Sequence, residues 1–325
     1  MSIQPLDVLL FIGGLVVLMA GAEALVRGAV KLASATGMGQ LTIGLTVVAF
    51  GTSAPEAAVS IRAAITGNPG IALGNVVGSN IANVLLILGV AAIICPIPIR
   101  ATLIKRDTAF MVAVSLVVLG LAALGRVTRW EGLLLFLALC AYTAVLVVRS
   151  RKQEMLACDS SGPDNRPARS TAKIVSGSAL SLGGLAGLVL GAHFMVTGAV
   201  AMASALGMSE LVVGLTMVAL GTSLPELAAS VAASVKGHSE IAVGNVVGSN
   251  LFNLLMVLGL SAAAAPGGMP VSPDALHTDL TVMAASAFIC LPFFLTGMRL
   301  SRGEGAFLLL SYVFYVSVRI LAAAG

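Results

Sequence analysis

GTSAPEAAVS at residues 51–60 returns as GTSLPELAAS at residues 221–230. The repetition extends outward from this motif, because residues 21–89 align with residues 191–259 without a gap, and more than half of the aligned positions are identical. Chance similarity between apolar helices does not keep one register over such a length. Internal repetition of this kind indicates a duplicated unit, so we expect two halves with the same fold.

The composition excludes an ordinary soluble protein. Of the 325 residues, 58% are hydrophobic and 10% are charged, and the mean hydropathy is +1.05. A soluble domain carries about 25% charged residues. Aromatic residues make up only 5% of the chain and strand-like alternation is absent, which favours a helical bundle over a membrane barrel. The formal net charge of +4 comes from basic residues in short loops, so we expect the lipid bilayer as the partner and no nucleic acid.

Ten apolar runs divide into two groups of five, and each run is long enough for about one spanning helix. The runs lie near residues 6–30, 41–65, 71–95, 107–124, 130–148, 174–205, 210–235, 240–264, 278–297 and 304–323. The sequence predicts an all-α polytopic membrane protein with ten transmembrane helices. An N-terminal five-helix repeat at 1–148 and a C-terminal five-helix repeat at 174–325 are joined by a loop at 149–173, which is rich in Pro, Ser, Gly and mixed charge.

The odd number of spans in each half sets the topology. The second half must enter the membrane in the opposite orientation, so the two repeats are inverted, as in many secondary transporters. With the N-terminus outside, only four of the 18 Lys and Arg residues fall on the outer side, as the positive-inside rule requires. These four are Arg62, Arg126, Arg129 and Arg319. We expect an inner-membrane protein with both termini outside and the central loop cytoplasmic.

Two glutamates lie in the middle of apolar spans, at equivalent positions of the two repeats. Glu56 and Glu226 each cost roughly 2.5–3.5 kcal/mol on insertion, so they are expected to have a function. Each follows a proline, and because Pro55 and Pro225 have no N–H, the carbonyl four residues earlier loses its helical partner. The pattern predicts a kinked helix with a freed carbonyl beside a carboxylate in each half.

Hydroxyl and amide groups accompany these glutamates. Thr52 and Ser53 lie four and three residues before Glu56, on its helical face, and Thr222 and Ser223 repeat the arrangement. A stripe at four-residue spacing consists of Asn75, Ser79 and Asn83 in the third run and Asn245, Ser249 and Asn253 in the eighth. Hard oxygen ligands suit Na⁺ and Ca²⁺, whereas zinc or copper would require imidazole or thiolate. The first Asn of each stripe fits an interhelical hydrogen bond equally well.

The two carboxylates limit the charge that such a site can hold. One Ca²⁺ neutralises both carboxylates, and so do two Na⁺ or two protons, so a site of low dielectric holds either load but not both. This exclusion is the electrostatic basis of an antiporter, and the residues alone leave Na⁺ and H⁺ open as the coupling ion.

Two other classes of protein are less favoured. A cation channel would require a continuous pore. An intramembrane enzyme would require a nucleophile with a base or a set of metal-binding histidines, and the intramembrane His193 supplies neither. Glu23 is expected to pair with Arg27 at i,i+4 near the inner face, so we leave both Glu23 and His193 out of the ion site.

These motifs resemble the calcium/cation antiporter superfamily, and most closely the prokaryotic sodium/calcium exchangers. The resemblance rests on GTSAPE and GTSLPE together with GNVVGSNIAN and GNVVGSNLFN, the two alpha repeats, and it extends over nearly the whole chain. It implies ten helices, four ion sites in a diamond, and alternating access by sliding of the first and sixth helices. The implied function is export of Ca²⁺ in exchange for Na⁺, without enzymatic activity or a cofactor.

The resemblance also implies an ion site drawn from both repeats. Its members are Glu56, Glu226, Thr52, Thr222, Ser53, Ser223, Ser79, Ser249, Asn83, Asn253 and the carbonyls of Ala49 and Ala219. The chain departs from one archaeal pattern, which has Asp where Asn253 stands, so this site has one potential negative charge fewer. Ca²⁺/H⁺ antiport is the alternative function, and with Asn at both 83 and 253 a K⁺-dependent exchanger is less favoured. The oligomeric state is not determined by these patterns.

Overall fold

The computed structural model describes residues 4–160, 171–205, 221 and 223–324, and within them the chain is almost entirely helical. The helices are α1 (Pro5–Thr36), α2 (Gln40–Thr52), α3 (Ala54–Ile65), α4 (Pro69–Ile94), α5 (Ala109–Ala122), α6 (Arg129–Ser160), α7 (Thr171–Ala205), α8 (Leu224–Val235), α9 (Ser239–Ala264), α10 (Ala275–Leu295) and α11 (Arg302–Ala324). Four two-residue strands are β1 (Ile97–Pro98), β2 (Arg126–Val127), β3 (Met269–Pro270) and β4 (Arg299–Leu300).

Most of these helices have the length and apolarity of membrane spans. Within the described residues, seven helices are long and apolar enough to cross a membrane by themselves, and the bent pair α2–α3 makes eight if it counts as one span. The prediction of an all-α membrane protein is confirmed. The first part of the seventh predicted run, residues 210–220, lies outside the described residues.

The predicted loop at 149–173 is wrong at both ends. Helix α6 continues to Ser160 and α7 begins at Thr171, so the segment between these two helices is much shorter than predicted. The reason is local propensity. Residues 151–157, RKQEMLA, are strong helix formers, and the first proline comes only at Pro163.

Helices α4 and α9 form the centre of the bundle. Both are buried over most or all of their apolar length, whereas α1, α6, α7 and α11 leave most of theirs exposed. One buried cluster of apolar side chains surrounds α4 and α9, and a second lies where α1 meets α2, α7, α8 and the start of α9. The polar stripes of the third and eighth runs therefore lie in the middle of the protein.

Helices α1 and α7 pack against each other antiparallel, backbone against backbone. The contact runs along glycines at seven-residue intervals, which are Gly14, Gly21 and Gly28 on α1 and Gly177, Gly184 and Gly191 on α7. A Cβ added at Gly21 would lie 2.5 Å from the amide nitrogen of Leu188. Small residues allow such close approach in membrane helices. We call this contact the glycine seam.

The four short strands form two antiparallel ribbons. Strand β1 pairs with β4, with Ile97 opposite Leu300, and β2 pairs with β3, with Val127 opposite Met269. Each ribbon joins one strand from the first half of the chain to one from the second half. The ribbons therefore connect the two halves at the helix ends.

The glycine seam predicts that neighbouring glycines of α7 respond differently to the same substitution. In Gly184→Ala the new Cβ would lie 2.3 Å from the Leu25 amide nitrogen, so the helices must separate, at a cost of about 1–3 kcal/mol. In Gly183→Ala nothing lies within 4 Å, and helix propensity alone makes the change neutral or mildly stabilising. Thermal unfolding of both variants in detergent measures the difference. Equal melting temperatures would contradict the close packing.

Candidate functional site

Each buried glutamate lies in the first turn of a helix, three residues after a serine. The axis bends by 46° between α2 and α3, and Ser53 is the residue at the break, so the predicted kink is confirmed in the first half. Pro55 occupies the first turn of α3, where its missing N–H is tolerated. In the second half, Ser223 precedes α8 and Glu226 lies in its first turn. The positive end of each helix dipole therefore faces a carboxylate.

The two carboxylates are buried without a basic partner. Glu56 and Glu226 are each 1% exposed, and their carboxyl groups interact electrostatically with each other. Among the described residues no Lys or Arg forms an ion pair with either. Both Glu56 carboxylate oxygens and Oε2 of Glu226 have no hydrogen-bond partner. Buried carboxylates of this kind need a bound cation or protonation to offset their charge.

Hydroxyl groups cross between the two halves at this point. Ser53 Oγ donates to Oε1 of Glu226 at 3.4 Å, and Ser223 Oγ donates to Ser79 Oγ at 3.3 Å. All four of these residues are at most 4% exposed. The structure thus brings together Ser53, Ser79, Ser223 and both glutamates in one buried cluster.

Thr52 connects the end of α2 to α9. Its hydroxyl lies 3.1 Å from the carbonyl oxygen of Val48, 3.4 Å from that of Ala49 and 3.2 Å from Asn245 Oδ1. The Ala49 carbonyl therefore lies beside the Thr52 hydroxyl. Thr222 and Ala219, the equivalents in the second repeat, lie outside the described residues.

Asn75 and Asn245 have the same structural role in the two halves. Asn75 Nδ2 donates to Ser60 Oγ at 2.9 Å and to the Glu56 carbonyl at 3.5 Å. Asn245 Nδ2 donates to Ser230 Oγ at 3.0 Å and to the Glu226 carbonyl at 3.3 Å. Both amides hold the backbone of the glutamate helix, so they position the carboxylates.

Asn83 and Asn253 lie in π-helical turns, at Ala82–Leu88 and Asn253–Val257. Asn83 Nδ2 donates to Asn250 Oδ1 at 3.1 Å, and Asn83 Oδ1 has no partner. Both amide atoms of Asn253 and the hydroxyl of Ser249 are buried without partners. Isolated π turns are frequent at functional sites, and unpaired buried oxygens are suited to a ligand.

Sequence reasoning missed two pairs of buried residues near the glutamates. Ser60 and Ser230 hold the Asn75 and Asn245 amides, and Asn80 and Asn250 lie next to the stripe of ligands. The signal was present, because both pairs are identical in the two repeats. Glu23 and His193, which we expected to lie outside the ion site, are not part of this cluster. Glu23 forms the expected ion pair with Arg27, and His193 is exposed beside Phe194.

A helical membrane fold with broken helices and a buried, oxygen-only cluster defines an integral-membrane cation exchanger. The chain belongs to the sodium/calcium exchanger protein family, which matches residues 6–148 and again residues 176–321. Two separate matches agree with the duplication seen in the sequence.

Relatives match the chain over almost its whole length. The sodium/calcium exchanger MaX1 of Methanosarcina acetivorans is 35% identical over 346 residues, covering 95% of this chain and 97% of the relative. The inner membrane protein YrbG of Escherichia coli is 35% identical over 286 residues, covering 86% of each chain. A solved structure of the sodium-calcium exchanger NCX_Mj superposes with a TM-score of 0.83 at 28% identity, covering 96% of this chain and 98% of that chain.

The role of the amide supports can be tested on two serines of α8. Ser230→Ala removes the acceptor of the Asn245 amide, so we expect a loss of about 1–3 kcal/mol in stability and weaker Ca²⁺ binding. Ser234 is also buried on α8, but its hydroxyl has no partner, so Ser234→Ala is the matched control and should be neutral. Thermal unfolding with and without Ca²⁺ measures both effects. If the two variants had the same melting temperature and the same response to Ca²⁺, Ser230 would have no role in positioning Asn245.

Proposed function

We propose that this protein exports Ca²⁺ in exchange for Na⁺ by alternating access, and that the ions bind between the two repeats near the membrane midplane. The observation that carries this proposal is the pair of buried carboxylates, Glu56 and Glu226, without a basic partner among the described residues. The surrounding side chains offer hydroxyl and amide oxygens. Ca²⁺ accepts about 6–8 such ligands at flexible distances.

The proposed architecture is ten helices in two inverted repeats, 1–148 and 174–325, with the linker between α6 and α7. The glycine seam supports inversion. Helices α1 and α7 are equivalent in the two repeats, yet they pack antiparallel. In a bundle of repeats with one orientation, equivalent spans would run in the same direction through the membrane.

The two ribbons support the same topology. In the proposed arrangement an even number of membrane crossings separates β1 from β4, and also β2 from β3, so each ribbon joins strands on one side. The equivalent strands β1 and β3 then fall on opposite sides. Parallel repeats would bring them to the same side.

Ion pairs between distant helix ends agree with the proposed orientation. Arg100 pairs with Glu240, and Lys236 pairs with Glu23, all on the side assigned to the cytoplasm. Arg319 pairs with Asp274 on the side assigned to the exterior. We therefore propose that both termini are outside and the central linker is cytoplasmic. We also propose that the protein lies in the inner membrane, because the relative YrbG is named an inner membrane protein.

We assign the ion ligands in four groups. The two glutamates neutralise the bound cations, and Thr52 and Thr222 complete the Ca²⁺ position. Serines from both halves, with the carbonyls of two alanines, complete the Na⁺ positions. The serine and alanine ligands are Ser53, Ser79, Ser223, Ser249, Ala49 and Ala219. Asn83 and Asn253 contribute amide oxygens at the centre, which adds no charge.

Exchange follows from this charge balance. Two carboxylates in a medium of low dielectric are neutralised by one Ca²⁺ or by two Na⁺, and binding both loads would leave a net positive charge that the membrane interior penalises. One load must therefore leave before the other binds. The glycine seam makes α1 and α7 a single body, which suits movement of this pair against the remaining helices.

Removing either carboxylate tests the ion site. We expect Glu56→Gln and Glu226→Gln each to reduce Ca²⁺ flux in proteoliposomes to background while the protein remains folded, because removing a buried charge eases membrane insertion. Glu131→Gln is the control, since Glu131 accepts a hydrogen bond from the Thr128 amide, as glutamine can do. Parent-level Ca²⁺ flux in either site variant would reject the assignment.

A second experiment identifies the coupling ion, because two unpaired carboxylates could carry protons instead of Na⁺. At equal pH on both sides, an imposed Na⁺ gradient should drive Ca²⁺ movement through the parent protein. Lowering the pH on both sides should slow it, since protons compete for the same carboxylates. Ca²⁺ movement under a pH gradient but not under a Na⁺ gradient would establish Ca²⁺/H⁺ antiport.

A further inference from the structure

A second polar region lies far from the ion site, in a cavity of about 590 Å³ between α1, α7 and the turn that joins α8 to α9. Three basic side chains reach it from two separate parts of the chain, Arg27 and Lys31 on α1 and Lys236 at the end of α8. His238 lies on the same turn as Lys236. We call this region the basic groove.

The groove carries excess positive charge. Its single carboxylate, Glu23, pairs with Arg27 and accepts a hydrogen bond from Lys236 Nζ at 2.7 Å. Lys31 forms no ion pair within the part of the chain that the structure describes. Three basic groups against one carboxylate leave two positive charges, so the groove is suited to an anion.

The depth of the groove matches the headgroup layer of the membrane. Arg27 follows Asp7 by 20 residues on α1, which corresponds to about 30 Å of helix, the thickness of the hydrocarbon core. Apolar side chains line the rest of the groove: Ala20 and Ala24 lie toward the membrane interior on either side of Glu23, and Val26, Val30 and Leu180 lie at the level of Arg27 and Lys31. A groove that combines basic and apolar side chains at the headgroup level fits a phospholipid better than a free anion.

The duplication provides an internal comparison. If the fold itself required these charges, the other half would carry them at the equivalent positions, 170 residues away. It does not. Glu23, Arg27, Lys31, Lys236 and His238 correspond to His193, Thr197, Ala201, Thr66 and Asn68. The basic groove is therefore a property of one face of the membrane, the face that we assign to the cytoplasm.

We propose that the basic groove binds the phosphate of an anionic phospholipid from the cytoplasmic leaflet. Basic pockets between transmembrane helices on this side are typical binding sites for such headgroups. A phosphate bound by Lys31 and Lys236 connects α1 to the α8–α9 turn, so the lipid holds the α1–α7 pair against the rest of the protein. Glu23 competes with the phosphate for Arg27 and Lys236. This site is independent of which cation is exchanged.

The test compares lipid binding by variants of the full chain in nanodiscs of phosphatidylcholine with or without cardiolipin, read by native mass spectrometry. Lys31→Gln with Lys236→Gln should weaken cardiolipin retention by about thirtyfold, from the loss of two basic groups near the surface. The matched control is Lys105→Gln with Arg302→Gln, two exposed basic residues on the same assigned face. The control and the charge-preserving pair Lys31→Arg with Lys236→Arg should retain cardiolipin like the parent.

Three results would overturn the proposal. Parent-level retention by the Lys31 and Lys236 glutamine variant is the first, and an equal loss in the Lys105 and Arg302 control is the second. The third is displacement of cardiolipin by millimolar inorganic phosphate alone, which would identify a soluble anion as the ligand. Because the readout is lipid retention, a failure of Na⁺-driven Ca²⁺ flux leaves this test unaffected.

Discussion

The rest of the structure depends on two carboxylates that are buried in a membrane protein and have no basic partner among the described residues. A buried charge that is not compensated is costly in a medium of low dielectric. Here Glu56 and Glu226 lie at the start of helices α3 and α8, where the helix dipoles favour negative charge, and Ser53 donates to Glu226. These interactions compensate the charge only in part, because three of the four carboxylate oxygens remain without a hydrogen bond. We propose that bound cations supply the remainder.

The duplication explains how one small motif builds such a site. Each half supplies a helix with a glutamate in its first turn, a serine just before that helix, and an asparagine that holds the glutamate backbone. Contacts such as Ser53 to Glu226 and Ser223 to Ser79 then join the two halves. The outer helices α1 and α7 contact each other through glycines, and the polar residues of the candidate site lie at the centre of the bundle.

The two halves differ where function distinguishes the two sides of the membrane. The basic groove joins α1 of the first half to the α8–α9 turn of the second, and the positions equivalent to its charged residues carry no such charges. The polar centre is nearly the same in both halves, since the glutamates, serines and asparagines coincide. The similarity of the centre fits the proposed ion site, which is approached from both sides, and the one-sided groove fits the proposed site for a lipid of one leaflet.

Much of the candidate site could be predicted because the chemistry is local. A glutamate after a proline within an apolar run predicts a kink and a buried carboxylate from the sequence alone, and the structure confirms the bend beside Glu56. The linker was predicted too long, because Ser, Gly and charge suggested a loop where helix propensity continues α6 to Ser160. The π turns and the roles of Ser60 and Ser230 depend on neighbouring helices, so no local pattern gave them.

The sequence by itself determined the membrane class, the duplication and the residue types of the site, since hydropathy, repetition and proline act within one helix. Only the tertiary structure decided which groups meet. The glycine seam between α1 and α7, the bond from Ser53 to Glu226 and the convergence of Lys31 with Lys236 all join residues far apart in the chain. Such contacts depend on helix rotation and crossing, and these are set by the packing of several helices together rather than by any single segment.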